Sequence, residues 1–207
     1  MNQTKNGLWN SPLLRSQVTS EDVRPPEMLF GYLIGPFGAL LASGIFTSQL
    51  QNYLTNVLKL DLGFLTTLQL LSTILIVAAN LVVGQLIERT RTLAGKARPW
   101  ILLSALTLSV ASVLMFIVPF ADRTARMVWI AIAYNAYYAV GFPIYNTANS
   151  TLVPVSTRNS KQRSTLASLT NIASLGVMGV GSMIFPTLVS MALKEDQHLW
   201  FLSLIHI

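Results

Sequence analysis

Leu62-Gly-Phe-Leu-Thr-Thr-Leu-Gln-Leu-Leu-Ser-Thr-Ile-Leu-Ile-Val-Ala-Ala-Asn-Leu-Val-Val-Gly-Gln-Leu-Ile87 contains no charged side chain, and Glu88-Arg89-Thr90-Arg91-Thr92-Leu-Ala-Gly95-Lys96-Ala-Arg98-Pro99-Trp100 follows it at once. A membrane-crossing helix needs roughly 20 mostly apolar residues, and this run supplies them. Four other stretches also lack Asp, Glu, Lys and Arg: Met28–Leu58, Pro99–Ala121, Met127–Thr157 and Ser164–Leu193. The chain is 52% apolar and 11% charged, against about 25% charged for a soluble domain, so it lacks the polar surface to cover a water-soluble globule. In lipid only helices and closed barrels satisfy every backbone polar group, and runs this long exclude barrel strands. The sequence therefore predicts an all-α polytopic membrane protein with five complete transmembrane helices.

Charge placement predicts the orientation. Lys and Arg in the tail (Lys5, Arg15, Arg24), the second loop (Arg89, Arg91, Lys96, Arg98) and the fourth loop (Arg158, Lys161, Arg163) number 10. The opposite side carries 4: Lys59, Arg123, Arg126 and Lys194. The positive-inside rule then puts the N-terminus in the cytoplasm of a multi-pass plasma-membrane protein. The net charge of +6 is a topology signal on this reading and does not point to nucleic acid. Residues 1–27 read as a polar cytoplasmic tail, with Pro25-Pro26 stopping any helix before the first span. The chain has no cysteine, which excludes disulfides and thiolate metal sites. After the turn Lys194-Glu195-Asp196-Gln197-His198, Leu199-Trp200-Phe201 reads as the start of a sixth helix. The last six residues, Leu202-Ser203-Leu204-Ile205-His206-Ile207, match one reading frame of a transposon-end sequencing adapter, and are expected to be a scar outside the fold.

The loop after the second span has the pattern G-x-x-x-(D/E)-x-T-x-x-x-x-G-K-x-(R/K)-P-W, filled by Gly84, Glu88, Thr90, Gly95, Lys96, Arg98, Pro99 and Trp100. Two more stretches accompany it: Tyr32-Leu-Ile-Gly35-Pro-Phe37-Gly38 in the first span, and Thr151-Leu152-Val153-Pro154 before a polar loop with Arg158 and Arg163. Together they resemble the glycoside–pentoside–hexuronide:cation symporters, the melibiose-permease-like branch of the major facilitator superfamily. The resemblance implies a twelve-helix carrier of two six-helix halves, in which a small-molecule solute, a sugar or glycoside, binds between the halves and crosses by alternating access. Residues 28–201 would be most of the N-terminal half, its partners being the bilayer and the missing C-terminal half, with no cofactor. The family pattern also implies cavity-facing carboxylates on the first, second and fourth helices and a base on the fifth. Those positions hold Leu40, Ile76 with Asn80, Asn146 and Asn171. No acid is left there to bind Na⁺ or exchange a proton, which leaves a uniporter, coupling from the other half, or a different solute.

Independently of the family, Gly84 reads as a site of close helix approach, Gly95 as a tight turn and Pro99 as a helix start. Glu88 among Arg89, Arg91 and Arg98 suggests exposed ion pairs that hold one cytoplasmic-side conformation, worth roughly 0–1 kcal/mol each. At about 100° per residue, Asn135, Tyr138, Phe142, Asn146 and Asn149 share an arc of the fourth span, broken near its middle by Gly141 and Pro143. Gln69, Ser72, Thr73 and Asn80 share a face of the second, and Ser164, Ser168, Asn171, Ser174 and Ser182 a face of the fifth. Amides offer both donors and acceptors to sugar hydroxyls, so Gln69, Asn80, Asn135, Tyr138, Asn146, Asn149 and Asn171 are the candidate substrate-binding residues. Gly31, Gly35, Gly176, Gly179 and Gly181 are assigned to helix packing. Two other readings compete with transport: a receptor or scaffold on a transporter-like bundle, and an intramembrane enzyme. The second is the weaker, because the spans hold no His, Asp, Glu or Cys.

Overall fold

A computed structural model describes residues 22–188. Residues 1–21 of the tail, the turn at 194–198, the start of a sixth helix at 199–201 and the terminal 202–207 lie outside the described residues. Within them the chain forms helices α1 (Pro25–Val57), α2 (Leu62–Arg89), α3 (Arg98–Phe116), α4 (Arg123–Ser156) and α5 (Ser160–Leu188), and no strand. All five are long and apolar enough to cross a membrane. Short connections reverse the chain each time, so the α2–α3 and α4–α5 loops share one end of the bundle and the α1–α2 and α3–α4 loops the other.

The helix ends follow ordinary capping chemistry. Asp61 and Asp122 stand in extended backbone, and their carboxylates accept from Phe64 N at 3.3 Å and Ala125 N at 2.9 Å, supplying acceptors for first-turn donors. Pro25 and Pro26 form the first turn of α1 instead of stopping a helix ahead of it. The first-turn N–H groups have no intrahelical partner, so a proline there costs no hydrogen bond.

Three apolar seams hold the bundle. Phe46 and Tyr53 of α1, Phe116 of α3 and Tyr137 of α4 make one aromatic cluster, with centroids 4.6 Å apart for Phe46–Tyr137 and for Tyr53–Phe116. Val83 and Ile87 of α2 pack with Ile144 and Ala148 of α4 against Trp100 and Ile101. Tyr32, Val153 and Leu166 join α1, α4 and α5 at the end that carries the α4–α5 loop. The closest approach is between α1 and α5, where a Cβ on Gly44 would come within 2.6 Å of Met178 O. Beside it Ser182 Oγ donates to Met178 O at 2.8 Å and Gly44 O at 3.3 Å. Of the glycines assigned to packing, Gly181 takes part, its missing Cβ lying 3.2 Å from Leu41 O. Gly31, Gly176 and Gly179 meet nothing within 4 Å, and Gly35 faces only the carbonyls of its own helix, Gly31 O at 2.7 Å.

Candidate functional site

Helix geometry sorts the candidate polar residues by depth. Counted from the helix ends beside the α2–α3 and α4–α5 loops, Asn80, Asn146 and Asn171 lie about 14–17 Å in, at 1.5 Å per residue. That puts the three at one level of the bundle, roughly a third of the way along their helices. The seam agrees: Asn146 lies between Ile144 and Ala148, and Asn80 one turn before Val83. Asn149 is about 10 Å from the same end, whereas Gln69, Asn135 and Tyr138 are about 27–31 Å away. The seven residues therefore occupy three levels of the bundle, with Asn149 nearest the loops and Gln69, Asn135 and Tyr138 farthest from them.

Their environments differ too. Asn146, Asn171 and Gln69 are exposed and Asn149 is half-buried; none of their side chains makes a hydrogen bond among the described residues. Asn80 is exposed, with Nδ2 donating to Ile76 O at 2.9 Å. Asn135 Nδ2 donates to Ala131 O at 2.8 Å, while its Oδ1 is enclosed without a partner. Tyr138 is wedged between Tyr134 and Tyr137, at centroid distances of 4.6 and 4.9 Å. Ser72 leaves the exposed stripe of Gln69, Thr73 and Asn80 and is buried, its hydroxyl unpartnered. On α5, Ser164, Ser168 and Asn171 stay exposed, Ser174 bonds its own helix at Thr170 O, and Ser182 serves the α1 contact.

The break in α4 has a definite form. Ala136–Gly141 is a π-helical segment, and Phe142 N–H reaches back five residues to Tyr137 O. The next residue, Pro143, has no N–H. The Tyr138 carbonyl thus loses both of its helical donors. A wide turn shifts every following side chain around the axis, and such turns recur at functional sites.

In the loop after α2, Gly95 adopts φ +95°, the left-handed region that favours glycine, and Pro99 sits in the first turn of α3. Glu88, Arg89, Arg91, Lys96 and Arg98 are all exposed, and no ion pair involving Glu88 occurs among the described residues at a 4.0 Å limit. Neutral bonds close the loop instead: Trp100 Nε1 donates to Thr90 Oγ1 at 2.8 Å and Thr92 Oγ1 to Gly95 O at 2.7 Å. Gly84 meets nothing within 4 Å, so the close approach expected there is not made among the described residues.

Residues 31–207 match the family described as MFS/sugar transport protein. The chain belongs to that family. Membership in MFS/sugar transport accounts for the helical architecture and makes this a multi-pass membrane protein. Among curated relatives, the chain is 26% identical over 168 residues to the uncharacterized symporter YjmB of Bacillus subtilis (strain 168), covering 79% of this chain and 36% of that protein. It is 26% identical over 194 residues to the isoprimeverose transporter of Lactiplantibacillus pentosus, covering 90% and 40%. With the putative glycoside/cation symporter YagG of Escherichia coli (strain K12) it shares 28% over 150 residues, covering 72% and 32%. The chain thus spans about two-fifths or less of these relatives.

Three polar features escaped the sequence reading. Along α1, Asn52 Nδ2 donates to Gln49 Oε1 at 3.1 Å and Asn56 Nδ2 to Asn52 Oδ1, an amide ladder whose i, i+3, i+7 spacing was legible. Tyr32 and Ser156 share a hydroxyl–hydroxyl bond between α1 and α4, and local spacing carries no sign of it. Arg126, expected in a loop, lies in α4 and donates from Nη1 to Leu58 O at 3.0 Å and from Nη2 to Ala121 O at 3.4 Å.

Proposed function

We propose that this chain is part of a carrier that moves sugars or glycosides across the membrane by alternating access, with Asn80, Asn146 and Asn171 on its solute path. The observation that carries the reading is the exposure, at one level about 14–17 Å in from the helix ends, of amides with open hydrogen-bonding capacity. An amide facing hydrocarbon without a partner costs about 4–8 kcal/mol, so these faces are expected to border water, a solute or another polar surface. Secondary carriers bind their solutes near the midplane, often at broken helices, and the π segment of α4 breaks the helix that carries Asn146, its released Tyr138 carbonyl lying about 12 Å along the axis from that amide. Family membership and the relatives' names support a sugar or glycoside. On this reading the basic α2–α3 loop lies in the cytoplasm with the N-terminus, residues 28–201 belong to the N-terminal half, and Gln69, Asn135, Tyr138 and Asn149 line the path above and below the central amides.

The test is uptake of radiolabelled isoprimeverose and other glycosides by cells expressing the full-length protein. Saturable uptake is expected, reduced about tenfold by Asn146→Leu or Asn80→Leu at equal expression, the value of about 1.4 kcal/mol of lost binding. Unchanged uptake in both variants would remove these residues from the path.

A further inference from the structure

At the end of the bundle opposite the α2–α3 loop, the α1–α2 and α3–α4 turns enclose an open hollow of about 480 Å³, lined among others by Thr55, Lys59, Asp61, Leu62, Arg123 and Arg126. Three cations therefore surround one acid, and no ion pair of Lys59, Arg123 or Arg126 occurs among the described residues at a 4.0 Å limit. Asp61 already spends an oxygen on capping Phe64 N. Arg126 is fixed by main-chain carbonyls, and its Nε is enclosed without a partner. Its positive charge is thus held in place and met by no carboxylate. Lys59 and Arg123 are exposed on the two turns that face each other across the hollow. The first-turn N–H groups of Leu62 and Gly63 point the positive end of α2 the same way.

We propose that this hollow is a phosphate site, occupied by the phosphodiester of a lipid headgroup. Its position selects that source. The hollow lies where α1 ends, α2 begins and α4 begins, at the level of the headgroups of a bilayer that these helices cross. Trp129 lies two turns into α4, its Nε1 on Leu114 O at 2.9 Å and Ile117 O at 2.8 Å and its ring against Phe120, a tryptophan placed as at a membrane interface. Leu62 and Phe120 are exposed beside the rim and give the acyl chains an apolar surface to follow. Guanidinium and ammonium groups that outnumber the single carboxylate lining one hollow suit a phosphate, whereas a neutral sugar leaves their excess positive charge unmet.

The experiment uses the full-length protein, purified in detergent and titrated with dioleoylphosphatidylglycerol or, at matched ionic strength, inorganic phosphate. Thermal unfolding and lipid retention in native mass spectrometry are followed. The lipid is expected to raise the unfolding temperature saturably, with one molecule retained per protein. Lys59→Gln with Arg123→Gln is expected to weaken that effect at least about tenfold, and the charge-conserving pair Lys59→Arg with Arg123→Lys to preserve it. Both positions are exposed, and circular dichroism checks the fold of each variant. Inorganic phosphate producing the same Gln-sensitive rise would support the site with a free anion as its source. An identical lipid response in the parent and the Gln pair would overturn the proposal, since the cations would then play no part.

Discussion

Trp100 and Thr90 are joined across the α2–α3 loop: the indole Nε1 donates to the Thr90 hydroxyl at 2.8 Å while that hydroxyl donates to Leu86 O at 2.7 Å. Thr90 is the residue that ends α2, and Trp100 lies in the first turn of α3. One side chain therefore ties two spans and the loop between them. A neutral bond of this kind contributes about 0.5–1.5 kcal/mol, and unlike an exposed ion pair it is not screened by salt.

Trp100→Phe and Thr90→Val are each expected to lower stability by about 1 kcal/mol. Together they should lose clearly less than the sum, because the shared bond can be removed only once. Unfolding of the full-length protein in detergent at low and high salt measures this. Strictly additive losses would mean that the two side chains act independently.

The α1–α5 contact makes a sharper distinction among glycines. Gly44→Ala forces a methyl group to within 2.6 Å of Met178 O, and a clash with backbone in a packed contact costs about 1–3 kcal/mol. Gly176→Ala meets open space and gains up to about 1 kcal/mol of helix propensity. Thermal unfolding of the two variants should move in opposite directions; equal losses would place a second close approach at Gly176.

Gln162 holds the start of the described chain as a neighbouring strand would. Its Oε1 accepts from Val23 N at 2.9 Å and its Nε2 donates to Val23 O at 3.4 Å, while Asn159 Nδ2 donates to Asp22 Oδ1 at 3.3 Å. Gln162→Ala should speed hydrogen exchange at the Val23 amide by about tenfold, equivalent to about 1.4 kcal/mol. Gln162→Glu keeps the acceptor and should retain most of the protection. Similar exchange in all three proteins would show that the amide is shielded by its surroundings and not by this bond.

Coupling to ions follows from the proposed transport function. Leu40, Ile76, Asn80, Asn146 and Asn171 offer no carboxylate within the spans, and neutral amides neither carry a compensating charge for Na⁺ nor exchange a proton near pH 7. Solute uptake by the full-length protein is therefore expected to change less than about twofold when the Na⁺ or proton gradient is collapsed, apart from any coupling through the rest of the carrier. A loss of uptake that is restored by one ion alone would locate an acidic site outside these five spans.

Much of the candidate site could be read along the chain. Asn80, Asn146 and Asn171 stand out as amides in charge-free runs, and Gly141 with Pro143 marks the broken helix. Periodicity at 100° per residue then failed where the helix itself departs from that period. Residues 136–141 are wound more widely, so Asn135 ends with an enclosed oxygen while Asn146 lies open. Ser72 and Ser182 looked like members of polar stripes, and each turned toward a neighbouring helix whose rotation no local pattern specifies. Glu88 sat among cations in sequence, yet exposed side chains find water as readily as one another, and no ion pair of Glu88 forms among the described residues.

Among the described residues, the amino-acid sequence by itself determined the number of spans and their limits to within about five residues, and it determined the family. The reason is local: a charge in hydrocarbon costs free energy wherever it stands, so a charge-free run longer than the bilayer is thick declares itself without reference to the rest of the chain. The tertiary structure alone decided that Gly44 rather than Gly176 meets another helix, that Tyr32 finds Ser156, and that Arg126 clamps two turns with its charge still unmet. Those outcomes depend on how far each helix is rotated and shifted against its neighbours. Packing across seams distant in sequence sets that geometry, and the seams exist only once the helices are assembled.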